Sequence, residues 1–268
     1  MVKEAPMKNL VVEVLISKDW DQATYHAQKG RIYSQRVAKV PNFYGDATKA
    51  STDVFALHVA CQYKAPLSMI ELLHSINPTA ITTVDSVYKR TPLHLAAMQG
   101  ASPKVVAFLL HEHTKAAAIP DALGRLPVHY SCKDKEHGEL NTRLLLKAYR
   151  NGATKADTNG FLPLHVACRT GMPLETLRVL TGVAPQTIHA KTKKGSTPKS
   201  CAMQFEKNQV VMDLLDRCAN SKDGPVKDVL DDGETLEITS ITSFKSNETP
   251  GSKEMLEYSH YLVASDAT

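Results

Sequence analysis

Apolar and polar positions recur along most of the chain with a period of 35 or 36 residues. Four segments carry the same pattern, and a fifth is a weaker copy: FALHVAC (55–61), TPLHLAA (91–97), LPVHYSC (126–132), LPLHVAC (162–168) and TPKSCAM (197–203). The shared histidines are His58, His94, His129 and His165, and Ser200 takes this place in the fifth segment. A period of this length predicts stacked copies of one supersecondary unit.

Each period has the same internal plan. A turn containing glycine comes first, and glycine allows positive φ without steric cost, so we assign a structural role to Gly124, Gly160 and Gly195. Proline then marks the first turn of a short helix, where its missing N–H costs nothing. A second helix is predicted from apolar pairs at helical spacing, such as Val106 with Leu109. Asn141 stands at the first of these apolar positions in the third unit, which leaves the register there open.

The chain resembles the ankyrin-repeat family, whose signature is T-P-L-H-x-A with a period near 33. The resemblance covers about residues 50–218 and implies an all-α solenoid of stacked helix-turn-helix units with short β-turn tips. The predicted units are 50–85, 86–120, 121–156, 157–191 and 192–218. Residues 1–49 are predicted to form a helical N-terminal cap, anchored by Trp20, and a connecting loop. Residues 219–268 are predicted to be an acidic, largely disordered and flexible tail.

The sequence also departs from the family pattern. The threonine of the motif is replaced by Phe55, Leu126 and Leu162, whose side chains cannot cap a helix N-terminus. The turn glycine is replaced by Asp53 in the first unit and by Lys89 in the second. Because lysine tolerates positive φ poorly, we expect a distorted second turn.

The recurring histidines and cysteines raise the question of a metal site or an enzyme. Equivalent residues of neighbouring repeats should lie roughly 8–10 Å apart, the usual distance between packed helices. Zinc ligands must each lie about 2 Å from one ion, so His58, His94, His129 and His165 cannot share a site. In the family this histidine orders the turns by hydrogen bonding, which implies a structural role. No phosphate-binding loop or nucleophile motif occurs, so we expect neither catalysis nor a cofactor nor a metal.

The resemblance implies that a partner protein binds along the turn tips and the exposed sides of the first helices. Many of the residues at these positions are basic or aromatic, which favours an acidic, partly apolar partner segment. The predicted contact residues are Tyr63, Tyr88, Arg90, Met98, Leu123, Arg125, Lys133, Phe161, Arg169, Lys193 and Lys194. The alternative is that these charges only solvate the surface.

The charge is unevenly distributed. Residues 220–268 hold 4 Lys and 10 Asp or Glu, a net charge of −6, whereas the preceding residues hold 28 basic and 18 acidic side chains, a net charge of +10. This asymmetry suggests that the tail competes with partners for the basic surface, although an inert solubilising tail fits equally well.

The expected function is that of an adaptor, scaffold or regulatory subunit in the cytoplasm or nucleus, without membrane insertion and without a small-molecule substrate. Two alternatives remain at this point. The chain could be a structural subunit of a larger assembly. It could also associate with nucleic acid through its basic residues, a less favoured alternative because those residues are thinly spread.

Overall fold

The computed structural model describes residues 10–29, 38–45, 51–205, 209–220 and 230. Within these ranges, helices follow one another in pairs. The first helices of the five repeats are Ala56–Gln62, Pro92–Gln99, Pro127–Ser131, Pro163–Thr170 and Pro198–Phe205. The second helices are Leu67–Ile76, Pro103–Glu112, Gly138–Ala148, Leu174–Val183 and Gln209–Asn220. The first four repeats each end in a short 3₁₀ helix: Pro78–Thr82, Thr114–Ala118, Arg150–Thr154 and Pro185–His189.

Each first helix packs against the first helix of the next repeat, and small residues allow this close approach. Ala60, Ala96 and Ala167 have no exposed surface at the helix contacts. The second helices supply larger apolar side chains to the same core, among them Ile70 and Leu109, which are also fully buried. The predicted all-α ankyrin-repeat solenoid is therefore confirmed for the described residues.

Local sequence explains where the first helices begin. Proline is the first residue in four of them, where no intrahelical N–H bond is needed. Thr91 caps the second repeat, since its hydroxyl accepts a hydrogen bond from the N–H of His94. As expected, Phe55, Leu126 and Leu162 make no side-chain cap.

Two helices precede the repeats, Leu10–Ser17 and Trp20–Lys29, and the first of them contacts Ala56–Gln62. Trp20, the predicted anchor of this cap, is half-buried. Leu15 has no exposed surface and also lies in the core.

The first repeat begins differently from the others. Asp53 was predicted at a turn, but it lies in the strand Thr52–Val54, which pairs antiparallel with Ala38–Val40. Asp53 faces Lys39 in this register. The strand Ala38–Val40 thus takes the place that the hairpin of an earlier repeat would occupy. Because Asp53 is extended, its position does not need glycine.

The second turn is distorted, as the replacement of glycine by Lys89 predicted. Lys89 adopts φ 56°, in the left-handed region. The turn closes with a hydrogen bond from Asp85 N to Arg90 O, which spans one residue more than the bond from Asp121 N to Arg125 O in the next repeat. The additional residue accommodates the missing glycine.

Asn141 lies in the expected register of the third repeat. Its side chain is fully buried, and its amide nitrogen donates to Ala101 O at 2.9 Å. A polar residue is tolerated at this apolar position because it bonds to the backbone of the preceding repeat. The flexible, acidic tail predicted for 219–268 lies outside the described residues, except for the helix end at 219–220 and Leu230, which is buried.

Candidate functional site

Three of the recurring histidines, His94, His129 and His165, connect their own repeat to the next one. His129 Nδ1 accepts a hydrogen bond from Leu126 N at 3.0 Å, and His129 Nε2 donates to Phe161 O of the following repeat at 3.2 Å. His94 bonds in the same way to Thr91 N and Arg125 O. One imidazole therefore caps its own helix and holds the next turn.

The four recurring histidines are buried, and burial keeps their side chains neutral. Desolvation is the main cause that lowers the pKa values of His58, His94 and His129 to about 4, and it also lowers the pKa of His165. His94, His129 and His165 each face a different backbone carbonyl, so they stand in a row and do not gather around one centre. In the described ranges no group of three or more His, Cys, Asp or Glu side chains is placed to hold a metal ion.

The three cysteines that share one repeat position are also poorly suited to nucleophilic chemistry. Cys61, Cys132 and Cys168 are free thiols with at most 3% exposure. Burial raises the pKa of each thiol well above its usual value, which suppresses the reactive thiolate.

No helix in the described part of the chain is long and apolar enough to cross a membrane.

Three buried aspartates organise the turn tips, and none of them was predicted as a site residue. Asp121 Oδ1 accepts hydrogen bonds from Leu123 N and Arg125 N at 2.8 and 2.9 Å. Asp157 does the same for its own turn, and Asp85 accepts from Val87 N and Tyr88 N. Their 36-residue spacing ahead of each turn was the signal that could have identified them.

The second carboxylate oxygen of two of these aspartates faces the preceding repeat. Arg125 Nε lies 3.0 Å from Asp157 Oδ2, and Arg90 Nε lies 3.3 Å from Asp121 Oδ2. Burial alone would raise the pKa of Asp157, but the hydrogen bond from Phe161 N and the contacts with Arg125 outweigh it and lower the pKa. Two of the predicted partner-binding arginines are thus held by internal ion pairs.

Arg90 in particular does not lie on the exposed surface predicted for it. It is only 6% exposed, and its guanidinium carbon lies 4.4–5.0 Å from the ring centroids of Tyr44, Tyr88 and Tyr130. A hydrogen bond of 2.8 Å joins Arg90 Nη2 to the hydroxyl of Tyr130. The aromatic rings and Asp121 satisfy this charge, so Arg90 stabilises the tips and cannot reach a partner.

The other predicted contact residues remain at the surface. Four cations are exposed, and six further side chains are half-buried. The exposed residues are Lys133, Arg169, Lys193 and Lys194. The half-buried residues are Tyr63, Tyr88, Met98, Leu123, Arg125 and Phe161. We call these ten residues the tip surface.

The tips of neighbouring repeats are joined by backbone hydrogen bonds. Ala122 N donates to Tyr88 O at 2.7 Å, Thr158 N to Leu123 O at 2.9 Å, and Lys193 N to Asn159 O at 3.0 Å. Gly124, Gly160 and Gly195 all have positive φ, between 71° and 82°. Because each tip is fixed to the next, the tip surface has a defined spacing of side chains.

Comparison with known proteins agrees with this geometry. A family model described as ankyrin repeats in three copies matches residues 57–149. Tyrosine-protein kinase HTK16 of Hydra vulgaris is 32% identical over 175 residues, which are 65% of this chain and 22% of the kinase. Inversin of Canis lupus familiaris is 31% identical over 118 residues, 43% of this chain and 11% of inversin.

A third relative is the target of rapamycin complex 2 subunit AVO2 of Saccharomyces cerevisiae, 26% identical over 182 residues, which are 66% of this chain and 42% of that protein. The chain therefore spans less than half the length of each of these relatives. Ankyrin repeats generally mediate protein–protein interactions and are typically non-catalytic. The repeated helix pairs, the row of capping histidines and the match to the family model over residues 57–149 together show that the chain contains ankyrin repeats.

Proposed function

We propose that this protein is a non-catalytic adaptor, scaffold or regulatory subunit that binds an acidic, partly apolar segment of another protein on its tip surface. The observation that carries the proposal is the charge left exposed there. Lys133, Arg169, Lys193 and Lys194 are exposed, and within the described residues none of them forms an ion pair. An acidic segment complements this charge.

The apolar part of the partner would contact the half-buried side chains between these cations. Tyr63, Tyr88 and Phe161 are each half-buried, so each keeps some exposed surface. Aromatic residues held in this way contribute strongly to interfaces because they bury a large area with little loss of conformational entropy.

The state of the reactive residue types supports a non-catalytic role. The recurring histidines and cysteines are buried, and hydrogen bonds to the backbone occupy His94, His129 and His165 on both ring nitrogens. A general base or nucleophile must reach its substrate, and these groups face the interior of the stack.

The proposal is tested by affinity purification with the full chain as bait. The key variant is Lys193→Glu with Lys194→Glu, which reverses two exposed charges. Arg125 is unsuitable for reversal, because a glutamate there would face Asp157 inside the ion pair. The matched control is Lys104→Glu with Lys115→Glu, since both lysines are exposed but belong to the second-helix side of the second repeat.

We expect the tip variant to lose the captured protein and the control to retain it, with at least about a tenfold difference in Kd, because two charge contacts are reversed. Equal loss in both variants, or retention in both, would overturn the proposal. A nucleic acid as the captured partner would show a steep log-linear decrease of affinity with salt and would also count against it.

Permanent membership of a larger assembly is a second candidate. Met203 of the last repeat is 50% exposed, whereas Cys168 and Cys132, its equivalents in earlier repeats, are at most 3% exposed. The relative AVO2 is named as a subunit of a complex. A partner that stays in constant ratio through high-salt washing and gel filtration would favour this candidate over a reversible adaptor.

A further inference from the structure

Two exposed cations of neighbouring repeats lie side by side. Thr170 Oγ1 donates a hydrogen bond to Cys132 O at 2.7 Å, which joins the end of one first helix to the end of the previous one. Arg169 directly precedes Thr170, and Lys133 directly follows Cys132. The same bond therefore fixes the backbones of Lys133 and Arg169 next to each other.

The acidic groups close to this pair are already engaged. Asp157 pairs with Arg125 at 3.0 Å. Asp134 accepts a hydrogen bond from His137 N at 2.9 Å and thereby turns towards the start of the following helix. Within the described residues, Lys133 and Arg169 form no ion pair, so two positive charges remain without a counter-charge.

An aromatic ring lies close to each of the two cations. Arg169 lies with its guanidinium carbon 4.5 Å from the ring centroid of Phe161, and Lys133 Nζ lies 5.4 Å from the centroid of Tyr130. Desolvation, and then the charges of Arg125 and Arg169, lower the pKa of Lys133. A lysine in this setting gains from an added anion, because the anion relieves the repulsion between the cations.

We infer that Lys133 and Arg169 together form a binding site for a phosphorylated serine or threonine in the partner segment. This inference rests on the proposed function and names the chemistry of one of its contacts. The arginine offers a planar fork that can bind two phosphate oxygens, while the lysine acts as a point charge on the third.

The charge balance favours phosphate over a carboxylate. A phosphorylated side chain carries between about −1.5 and −2 charges at neutral pH and three acceptor oxygens, which matches two cations. One carboxylate would leave about one positive charge uncompensated. The site should therefore rank phosphoserine above aspartate and aspartate above serine.

The test uses the immobilised full chain and three pools of degenerate peptides that differ only at a fixed central residue, phosphoserine, aspartate or serine. We expect the phosphoserine pool to be retained at least about tenfold more than the serine pool, as for one or two charge-assisted hydrogen bonds. Lys133→Gln and Arg169→Gln should each remove most of that preference. Arg169→Lys, which keeps the charge but loses the fork, should remove part of it.

Lys104→Gln, at an exposed lysine of a second helix, is the control and should leave the preference unchanged. Thermal unfolding of every variant checks that the fold is retained. Equal retention of the three pools, equal retention of the aspartate and phosphoserine pools, or the same loss in the control would each overturn the inference. A partner captured by the full chain and lost in the Lys193 and Lys194 variant would still support the proposed function in that case.

Discussion

The third and fifth repeats solve the same local problem with different residues. In the third, His129 accepts from Leu126 N and also bonds to Phe161 O of the next repeat. In the fifth, Ser200 takes the same position, and its hydroxyl accepts from Thr197 N at 2.9 Å. Serine reproduces the cap, but its side chain is too short to reach a following repeat.

The turn tips show the same difference. Asp157 orders its own turn with one oxygen and binds Arg125 of the preceding repeat with the other. In the last turn Thr192 accepts only from Ser196 N at 3.1 Å, and Phe161 stands where the earlier repeats have the arginine. A repeat with a neighbour on each side thus has residues with two contacts at these positions, whereas the side chains of Thr192 and Ser200 in the fifth repeat make only local contacts within the described residues.

Lowering the pH should cause the largest loss of stability, because it protonates the histidines that connect the inner repeats. The pKa values of His58, His94 and His129 lie near 4 when folded, below the usual 6.5, so their contribution is complete above about pH 6.5 and is lost as pH falls towards 4. The unfolded chain then binds more protons, and the free energy of unfolding should fall by roughly 3–4 kcal/mol per pH unit near pH 5. Urea denaturation at several pH values measures this.

The aspartates provide an internal check on that experiment. The pKa values of Asp121 and Asp157 are lowered, so their contribution is present above about pH 4 and is lost only at lower pH. A decrease between pH 6.5 and 4.5 therefore reports on the histidines. Stability that stayed constant from pH 7 to 5 would contradict their buried, neutral state.

The substitution His129→Ser would give the third repeat the same capping residue that Ser200 provides in the fifth. It keeps a helix cap but leaves Phe161 O without its donor and opens a cavity, so we expect a loss of roughly 2–4 kcal/mol in the free energy of unfolding. Chemical denaturation at pH 7.5 gives this value.

The reverse exchange supplies the contrast. Ser200→His should change stability by less than about 1 kcal/mol, because no sixth repeat follows in the described residues to accept its second bond. His189→Ser, at an exposed position, should change it by less than about 0.5 kcal/mol. If His129→Ser proved as mild as these two, the coupling between repeats would not depend on the histidine.

Much of the fold follows from the sequence because stacking imposes a period. The 35- and 36-residue spacing of the histidines predicts the helix pairs, but the sequence left the register of the third repeat open because Asn141 is polar. The period fails where a contact is not periodic. Asp53 pairs with Lys39 of the preceding segment, which belongs to no repeat, and so the strand was missed.

The binding surface was less predictable than the fold. The family pattern places residues at tips, but it does not say which charges are already satisfied. Arg90 and Arg125 occupy equivalent positions in successive repeats, yet the first is enclosed by three tyrosines and the second is half-buried. One of these rings, Tyr44, comes from outside the repeats, so periodicity could not indicate that Arg90 is covered.

Glycine at the turns gives the smallest and most local comparison. Gly160 and Gly195 have nearly the same φ, 82° and 81°. A Cβ at Gly160 would lie 2.8 Å from Lys193 N of the next repeat, whereas a Cβ at Gly195 would have no atom within 4 Å. Gly195→Ala should therefore cost roughly 1–2 kcal/mol for the left-handed backbone alone, and Gly160→Ala about 1 kcal/mol or more beyond that.

Amide hydrogen exchange distinguishes the two costs. In Gly160→Ala the backbone of the next turn must move, which lengthens the hydrogen bond from Lys193 N to Asn159 O and should speed exchange at Lys193. In Gly195→Ala that bond is left intact, and exchange at Lys193 should follow only the overall stability. Faster exchange at Lys193 in both variants would mean that the last turn depends on its own glycine as much as on its contact with the fourth repeat.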